Sequence, residues 1–391
     1  MLMNRFFSSA LLLALAAGAS GAAAQDNVVI TTAVPFLQIE PDSRAAGMGM
    51  TGVAIADNAY APFWNPAGLA GQEGTEVSFT YAPWLPALGA DLSFNYVSGK
   101  HSMGKAGTLG GHFTYFNLGE QQWTDEIGNS LGDFKSFELA AGASYGVEVG
   151  KGLSLGAGGR VIYSNLTGGQ EVDDVETQAG LSFGLDLGAI YKLPEIDAGG
   201  VGVTPKLGVN LANMGPSIKY LENGIPNAIP TNLRFGTGID IDLDEFNRVT
   251  VAADLNKLIV SRDPETGEYD SFFEALTSSW GERIVDTSGG TQGSCDSRAA
   301  DDNATNDCEL ISGFQQLTLG AGLEYWYNDL LALRTGYFYE DPANGNREFL
   351  TFGAGIRYNV VGFDLSYIYA LADDSPLADQ LRFSLLLNVP R

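Results

Sequence analysis

Histidine, cysteine and clustered carboxylates are the side chains that most often carry catalysis or hold a metal. This chain has two histidines, His101 and His112, among 391 residues. Neither has a serine or cysteine beside it in a nucleophile setting, and a lone histidine is usually structural. No catalytic residue and no enzyme activity are expected. Cys295 and Cys308 are the only cysteines. In an exported protein such a pair forms one disulfide; a metal site would need further ligands, and both histidines are distant in sequence. Asp301, Asp302, Asn303 and Asp307 offer the hard oxygens that calcium takes, but their spacing is not that of an EF-hand, and a solvated acidic loop accounts for them. The run GAGGR at 156–160 lacks the Lys-Ser/Thr and the strand-to-helix setting of a phosphate loop, which leaves strand glycines. No metal or cofactor is expected. A formal charge of -26 argues against nucleic acid as a partner. It fits a salt-rich habitat and an acidic outer face equally well.

With chemistry scarce, the elements carry the information. Arg5, an apolar run over 10–17 and Ala22-Ala23-Ala24 form the pattern of a cleaved signal peptide over 1–24, with a mature start at Gln25. Residues 25–41 read as an extended lead. No later apolar run is long enough for a transmembrane helix. From about residue 75 to the end at 391 the pattern has period two. Leu181, Phe183, Leu185 and Leu187 alternate with Ser182, Gly184, Asp186 and Gly188. Fourteen such segments are legible, over 75–82, 90–98, 107–118, 134–148, 152–165, 178–192, 203–213, 231–241, 247–256, 314–327, 330–339, 347–358, 361–370 and 380–389. A tilted strand crosses a bilayer in about 9–11 residues, and bacterial barrels have an even strand number.

The connections alternate between short ones, such as 149–151 and 359–360, and long ones, such as 214–230 and the acidic 257–313. Outer-membrane barrels show this alternation, with short periplasmic turns and long external loops. The polar face carries Arg160, Asp186, Arg234, Asp240, Asp254, Glu324, Arg334, Arg357, Asp364 and Arg382, which must be wet or paired. Tyr325, Trp326, Tyr327, Tyr337, Tyr339 and Tyr358 lie at segment ends, where an aromatic girdle is expected. The expected fold is all-β: a fourteen-stranded antiparallel transmembrane barrel in outer-membrane lipid.

The segment before the first strand differs. In NAYAPFWNPAGLAG (58–71), Asn65 followed by Pro66 is a helix start, and Gly68 and Gly71 end it after one turn. Asp42 can cap a turn over 43–46, and Gly47 keeps the segment slim. Asp57 is expected to cap another turn, stopped by Pro62. The segment is apolar (Met48, Val53, Phe63, Trp64 and Leu69) and needs cover. A barrel of fourteen strands is too wide for its own side chains to fill. Residues 42–71 are therefore expected inside the barrel, as a hatch.

The stretch AVPFLQIEPDSRAAGMGMTGVAIADNAYAPFWNPAGLAG (33–71) resembles the N-terminal signature of the PorV (LptO) family, the outer-membrane barrels of the type IX secretion system. VSFTYAPWLPAL (77–88) and YFNLGE (115–120) resemble the segments that follow. The Asn-Pro-Ala-Gly ending is shared with FadL-type fatty-acid transporters, where it belongs to a hatch in a fourteen-strand barrel. The resemblance marks Pro35, Phe36, Asp42, Arg44, Gly47, Trp64, Asn65, Pro66 and Gly68 as the motif. It leaves open PorV itself or a sister such as PorQ.

That resemblance implies a carrier. It would engage the C-terminal domains of secreted cargo, dock on the type IX translocon barrel, and deliver cargo to an attachment complex with a sortase-like peptidase. Trp84, Trp123, Tyr220, Tyr269, Phe272, Phe273 and Trp280 in the long loops suit protein recognition. The alternative is FadL-like uptake of hydrophobic small molecules. It would need an apolar pocket in the lumen, for which Ile162, Ile190, Phe338 and Ile368 are the scattered lining.

Overall fold

The computed structural model describes residues 31–85, 92–124, 130–169, 171–172, 175–263, 266–286, 308–371, 375 and 377–389. The signal peptide expected over 1–24, Cys295 of the disulfide expected between Cys295 and Cys308, and Asp301, Asp302, Asn303 and Asp307 lie outside the described residues. Fourteen long strands follow one another: β1 (Thr75–Pro83), β2 (Ser93–Ser102), β3 (Thr108–Thr124), β4 (Ser130–Gly150), β5 (Leu153–Asn165), β6 (Gly180–Lys192), β7 (Gly202–Met214), β8 (Asn232–Asp242), β9 (Asn247–Leu258), β10 (Leu317–Tyr327), β11 (Leu331–Glu340), β12 (Glu348–Tyr358), β13 (Val361–Ala370) and β14 (Leu381–Val389). Each is antiparallel to its neighbours. β1 closes the ring on β14, from Thr75 opposite Val389 to Tyr81 opposite Phe383. The sheet has no free edge, as a membrane-spanning sheet requires.

The alternation fixes which face meets what. On β14, Leu381, Phe383, Leu385 and Leu387 are exposed, while Arg382, Ser384 and Leu386 between them are buried. On β6, Leu181, Phe183, Leu185 and Leu187 are each more than half exposed, and Ser182 and Asp186 are buried. A ring of exposed leucines and phenylalanines would be costly in water. Against hydrocarbon it costs nothing, so this is the lipid face.

Two expectations about the strands change. The loop expected over 119–133 is mostly strand, because β3 and β4 run on as a hairpin to Thr124 and from Ser130. Its residues are polar on both faces (Glu120, Gln121, Gln122, Asp133 and Lys135), so alternation is silent there. Register shifts after Asn117, where Gly119 has a positive φ of 77°. Trp326 does not belong to a girdle. It is buried on the inner face, under the guanidinium groups of Arg334 and Arg357 at 5.6 and 5.4 Å from its ring. Tyr325 and Tyr327 point the other way, as period two requires.

The interior is occupied. A β-carbon added to Gly146 on β4 or Gly156 on β5 would lie within 2.6 Å of Pro66. One on Gly208 of β7 would meet Val53, one on Gly322 of β10 Met48, and one on Gly336 of β11 Gly49. Gly353 on β12 abuts Gly47, and Ser384 on β14 bonds Ser43 at 2.9 Å. A segment that touches strands all round a closed ring lies inside it. Two one-turn helices, α1 (Ser43–Ala46) and α2 (Ala61–Trp64), and two short 3-10 turns, Pro35–Gln38 and Pro66–Leu69, form this plug. Pro62 lies inside α2 rather than stopping a turn, which costs nothing at the start of a helix. Asn58, not Asp57, accepts from the Tyr60 amide there, at 3.0 Å.

Candidate functional site

Three groups of bonds hold the plug to the wall. The Asp42 carboxylate accepts from the Ala45 amide at 3.1 Å and caps α1. It also accepts from Trp64 Nε1 at 3.4 Å, which joins α1 to α2. Burial pushes the Asp42 carboxyl up to about 6, against the opposing pull of Arg44 and of the Ala45 hydrogen bond. Pro35 opens the first turn, and Phe36 is buried with its ring stacked on Phe116 of β3 at 6.3 Å.

Arg44 begins a ladder of alternating charge. It donates to Asp57, and through Nη2 to Glu324 on β10 at 2.8 Å. Glu324 accepts from Arg334 Nε on β11 at 2.6 Å, Arg334 donates to Asp364 on β13 at 2.7 Å, and Asp364 accepts from Arg357 on β12 at 2.6 Å. Burial alone would lower the Arg44 pKa, but Asp57 and Glu324 hold it well above its ordinary value. The charged residues expected on the inner face are thus mostly paired rather than wet. Arg160 pairs with Asp186, and Lys206 with Asp240 at 2.6 Å.

Asn65 serves a third group. Its Oδ1 accepts from the Ala67 amide at 3.1 Å, and its Nδ2 faces the carbonyls of Val53, Ala189 and Val209, each at 3.1 Å. One side chain therefore starts the Pro66–Leu69 turn and ties it to β6 and β7. Gly68 sits where a β-carbon would lie 2.0 Å from the Ala56 carbonyl oxygen. Asp254 of β9 accepts from the Gly52 and Val53 amides at 2.7 and 2.9 Å. Glu76 of β1 accepts from the Ala59 amide at 2.8 Å. Arg234 of β8 donates to the Phe63 carbonyl at 3.2 Å, with its guanidinium over the Phe63 and Trp64 rings. The inner-face pattern marked Arg234 and Asp254 as needing partners, but not Glu76. Nothing local in the sequence paired Asp254 with backbone amides some 200 residues away.

His101 and His112 do not come together with these groups. His101 Nδ1 lies 2.8 Å from Thr75 Oγ1 at the rim. His112 is buried, with its ring stacked on Tyr96 at 5.8 Å, and neither ring nitrogen has a partner among the described residues. At the long-connection end a helix, α3 (Phe272–Ser278), follows β9. Phe273 is 79% exposed on it, and Phe314, before β10, is 70% exposed. The other loop aromatics have contacts of their own: Trp123 packs edge-on against Phe134, and Phe272 against Phe273. Trp84 packs edge-on against Phe116, and Tyr220 donates to Ser164 at 3.0 Å. Tyr269 donates to the Thr31 carbonyl at 2.7 Å, and Trp280 lies over Lys257.

The family model described as Type IX secretion system protein PorV matches residues 22–265, well over half of the chain. The chain belongs to the PorV family. Solved structures similar to this PorV-family barrel include the toluene transporter TbuX of Ralstonia pickettii, 14% identical with a TM-score of 0.48 over 90% of this chain and 98% of that one. The toluene transporter TodX of P. putida is 13% identical, with a TM-score of 0.48 over 90% and 99%. A FadL homologue of Pseudomonas aeruginosa is 11% identical, with a TM-score of 0.40 over 89% and 98%. No curated protein matches the chain. The protein is an outer-membrane β-barrel of a secretion family.

Proposed function

We propose that this barrel is a carrier of the type IX secretion system. It binds the C-terminal signal domain of secreted cargo at its outer surface, docks beside the translocon barrel, and hands cargo to the attachment complex and its sortase-like peptidase. The motif Pro35, Phe36, Asp42, Arg44, Gly47, Trp64, Asn65, Pro66 and Gly68 has the role of holding the bore shut. The observation that carries the reading is the plug itself, which touches strands on every side of the ring. A bore filled this way leaves no path for a folded domain, so recognition falls to the outer loops. Phe273 and Phe314 suit that task, since exposed aromatics at a loop end supply much of the energy of protein interfaces.

The test is affinity purification of the detergent-solubilised barrel with a purified cargo C-terminal domain. Wild type should retain the domain, and Phe273→Ser/Phe314→Ser should retain several-fold less while unfolding at the same denaturant concentration. Recovery of the wild-type barrel alone, across detergents that keep it folded, would end the proposal.

A further inference from the structure

A cavity of about 250 Å³ lies at the long-connection end, between the plug and the upper ends of β8 to β11. Four cations line it: Arg234, Lys257, Arg283 and Arg347. Glu40 and Glu340 are the only lining acids, so the charge excess is two. Glu340 is already taken by Arg347, at 2.6 Å. The other three cations are deeply buried, with Arg234 at 4%, Lys257 at 1% and Arg283 at 7% exposure.

Among the described residues none of those three makes an ion pair. Arg234 donates to the Phe63 carbonyl. Lys257 donates to Gln316 Oε1 at 2.6 Å and faces the Trp280 ring at 5.6 Å. Arg283 donates to the Val260 carbonyl at 3.1 Å. Elsewhere in the barrel the buried arginines Arg160 and Arg334 meet carboxylates, while Arg382 donates to the Glu40 backbone carbonyl. A buried charge without a counter-charge is costly, so three around one space call for an anion. That they occur in a chain of net charge -26 makes the local reversal sharper.

We propose that this cavity binds a phosphate monoester. Such a group carries a charge of about -1.5 to -2 near pH 7, enough to meet the basic side chains that Glu40 and Glu340 leave uncompensated. Two arginines and a lysine supply donors enough for three phosphate oxygens. Trp64, Met50 and Phe338 give the cavity an apolar side for the organic part of the ligand. Arg347, whose side chain is 46% exposed, opens the mouth to the outside. The phosphate could come from a soluble ester or from the headgroup of an outer-leaflet glycolipid. The inference stands apart from the cargo reading and does not use Phe273 or Phe314.

The experiment is calorimetric titration of the full-length barrel, purified in a phosphate-free neutral detergent, with inorganic phosphate. In parallel, phosphorylated lipid carried through purification is measured by mass spectrometry. Lys257→Gln and Arg283→Gln are compared with wild type. Arg283 lies outside the barrel strands, so its variant keeps the test usable if Lys257→Gln fails to fold. Phosphate binding that weakens roughly tenfold to a hundredfold in the variants supports the site and a soluble ligand. A phosphorylated lipid recovered with wild type and lost from the variants supports the site and a lipid source. Wild type that shows neither, or binding unchanged in both variants, overturns the proposal.

Discussion

Glu324 is the point at which the plug and the wall share one charge, and replacing it gives the most discriminating test. Its side chain is fully buried. It accepts from Arg44 Nε at 3.0 Å and Nη2 at 2.8 Å, and from Arg334 Nε at 2.6 Å. Glu324→Gln keeps the volume and removes the charge between two guanidinium groups. Arg334 retains Asp364 and Arg44 retains Asp57, but both arginines are left under-compensated in a dry setting. Breaking a buried pair from one side costs about 3–5 kcal/mol. Arg44→Gln should cost less, about 1–3 kcal/mol, because Glu324 then still meets Arg334, and Asp57 is half exposed so that its pairing is worth little. The assay is urea unfolding in lipid vesicles, paired with maleimide labelling of a cysteine placed at the buried Ala61 of α2. Glu324→Gln should shift the unfolding midpoint more than Arg44→Gln, both should speed labelling, and the double variant should cost less than the sum. Glu324→Gln within about 0.5 kcal/mol of wild type, or Arg44→Gln the costlier of the two, would refute the ladder as the clamp.

Asn65→Ala removes the cap of the Pro66–Leu69 turn and uncovers carbonyls on β6 and β7, so it should lower stability by about 2–3 kcal/mol in the same unfolding assay. Gly188→Ala would put a methyl group 2.0 Å from Asn65 Oδ1, whereas at Gly111 the nearest atom is 3.5 Å away. The first should cost about 1–3 kcal/mol and make the plug sensitive to protease, and the second should be near neutral. Asp42 sets a pH dependence. Its folded pKa of about 6 lies above the free value of 3.8, so its contribution to stability is complete below pH 3.8 and lost as pH rises through about 6. Stability from this group should fall by about 3 kcal/mol across that window, on the order of the whole shift. Asp42→Asn keeps a capping oxygen and should flatten that slope, read as unfolding midpoints at pH 5 and 7.5.

Strands were legible because each has one face against lipid and one against the interior, which writes period two into the residues. Alternation placed Leu181, Phe183 and Leu185 outside without any knowledge of the fold. It stopped short where both faces are wet, as in the β3–β4 extension through Glu120 and Lys135. Trp326 shows the opposite error. Its position at a segment end suggested a girdle, yet the same alternation that put Tyr325 and Tyr327 outside put Trp326 inside. Pairings across the bore were not legible. Arg44 and Glu324 are 280 residues apart, and only closure of the ring decides that β10 faces α1. Similarly, Asp254 looked like any inner-face acid, and its partners proved to be the backbone amides of Gly52 and Val53.

The sorting of charge inside the barrel links these features. A water-filled lumen of this width could leave its arginines and carboxylates hydrated and unpaired. Once the plug displaces that water, each charge must find an opposite charge or a backbone dipole. Below the mouth this has happened, through the ladder from Asp57 to Arg357, through Arg160 with Asp186, and through Asp254 with two amides. Arg234, Lys257 and Arg283 meet only neutral oxygens among the described residues, and all three line the cavity at the long-connection end. Trp280 lies beside Lys257, with its ring over the ammonium and a third of its area exposed. Stability alone would favour a neutral residue at each of those three positions. Among the described residues no carboxylate pairs with them, and the place where a ligand could bring the negative charge is the end at which the loops meet other molecules.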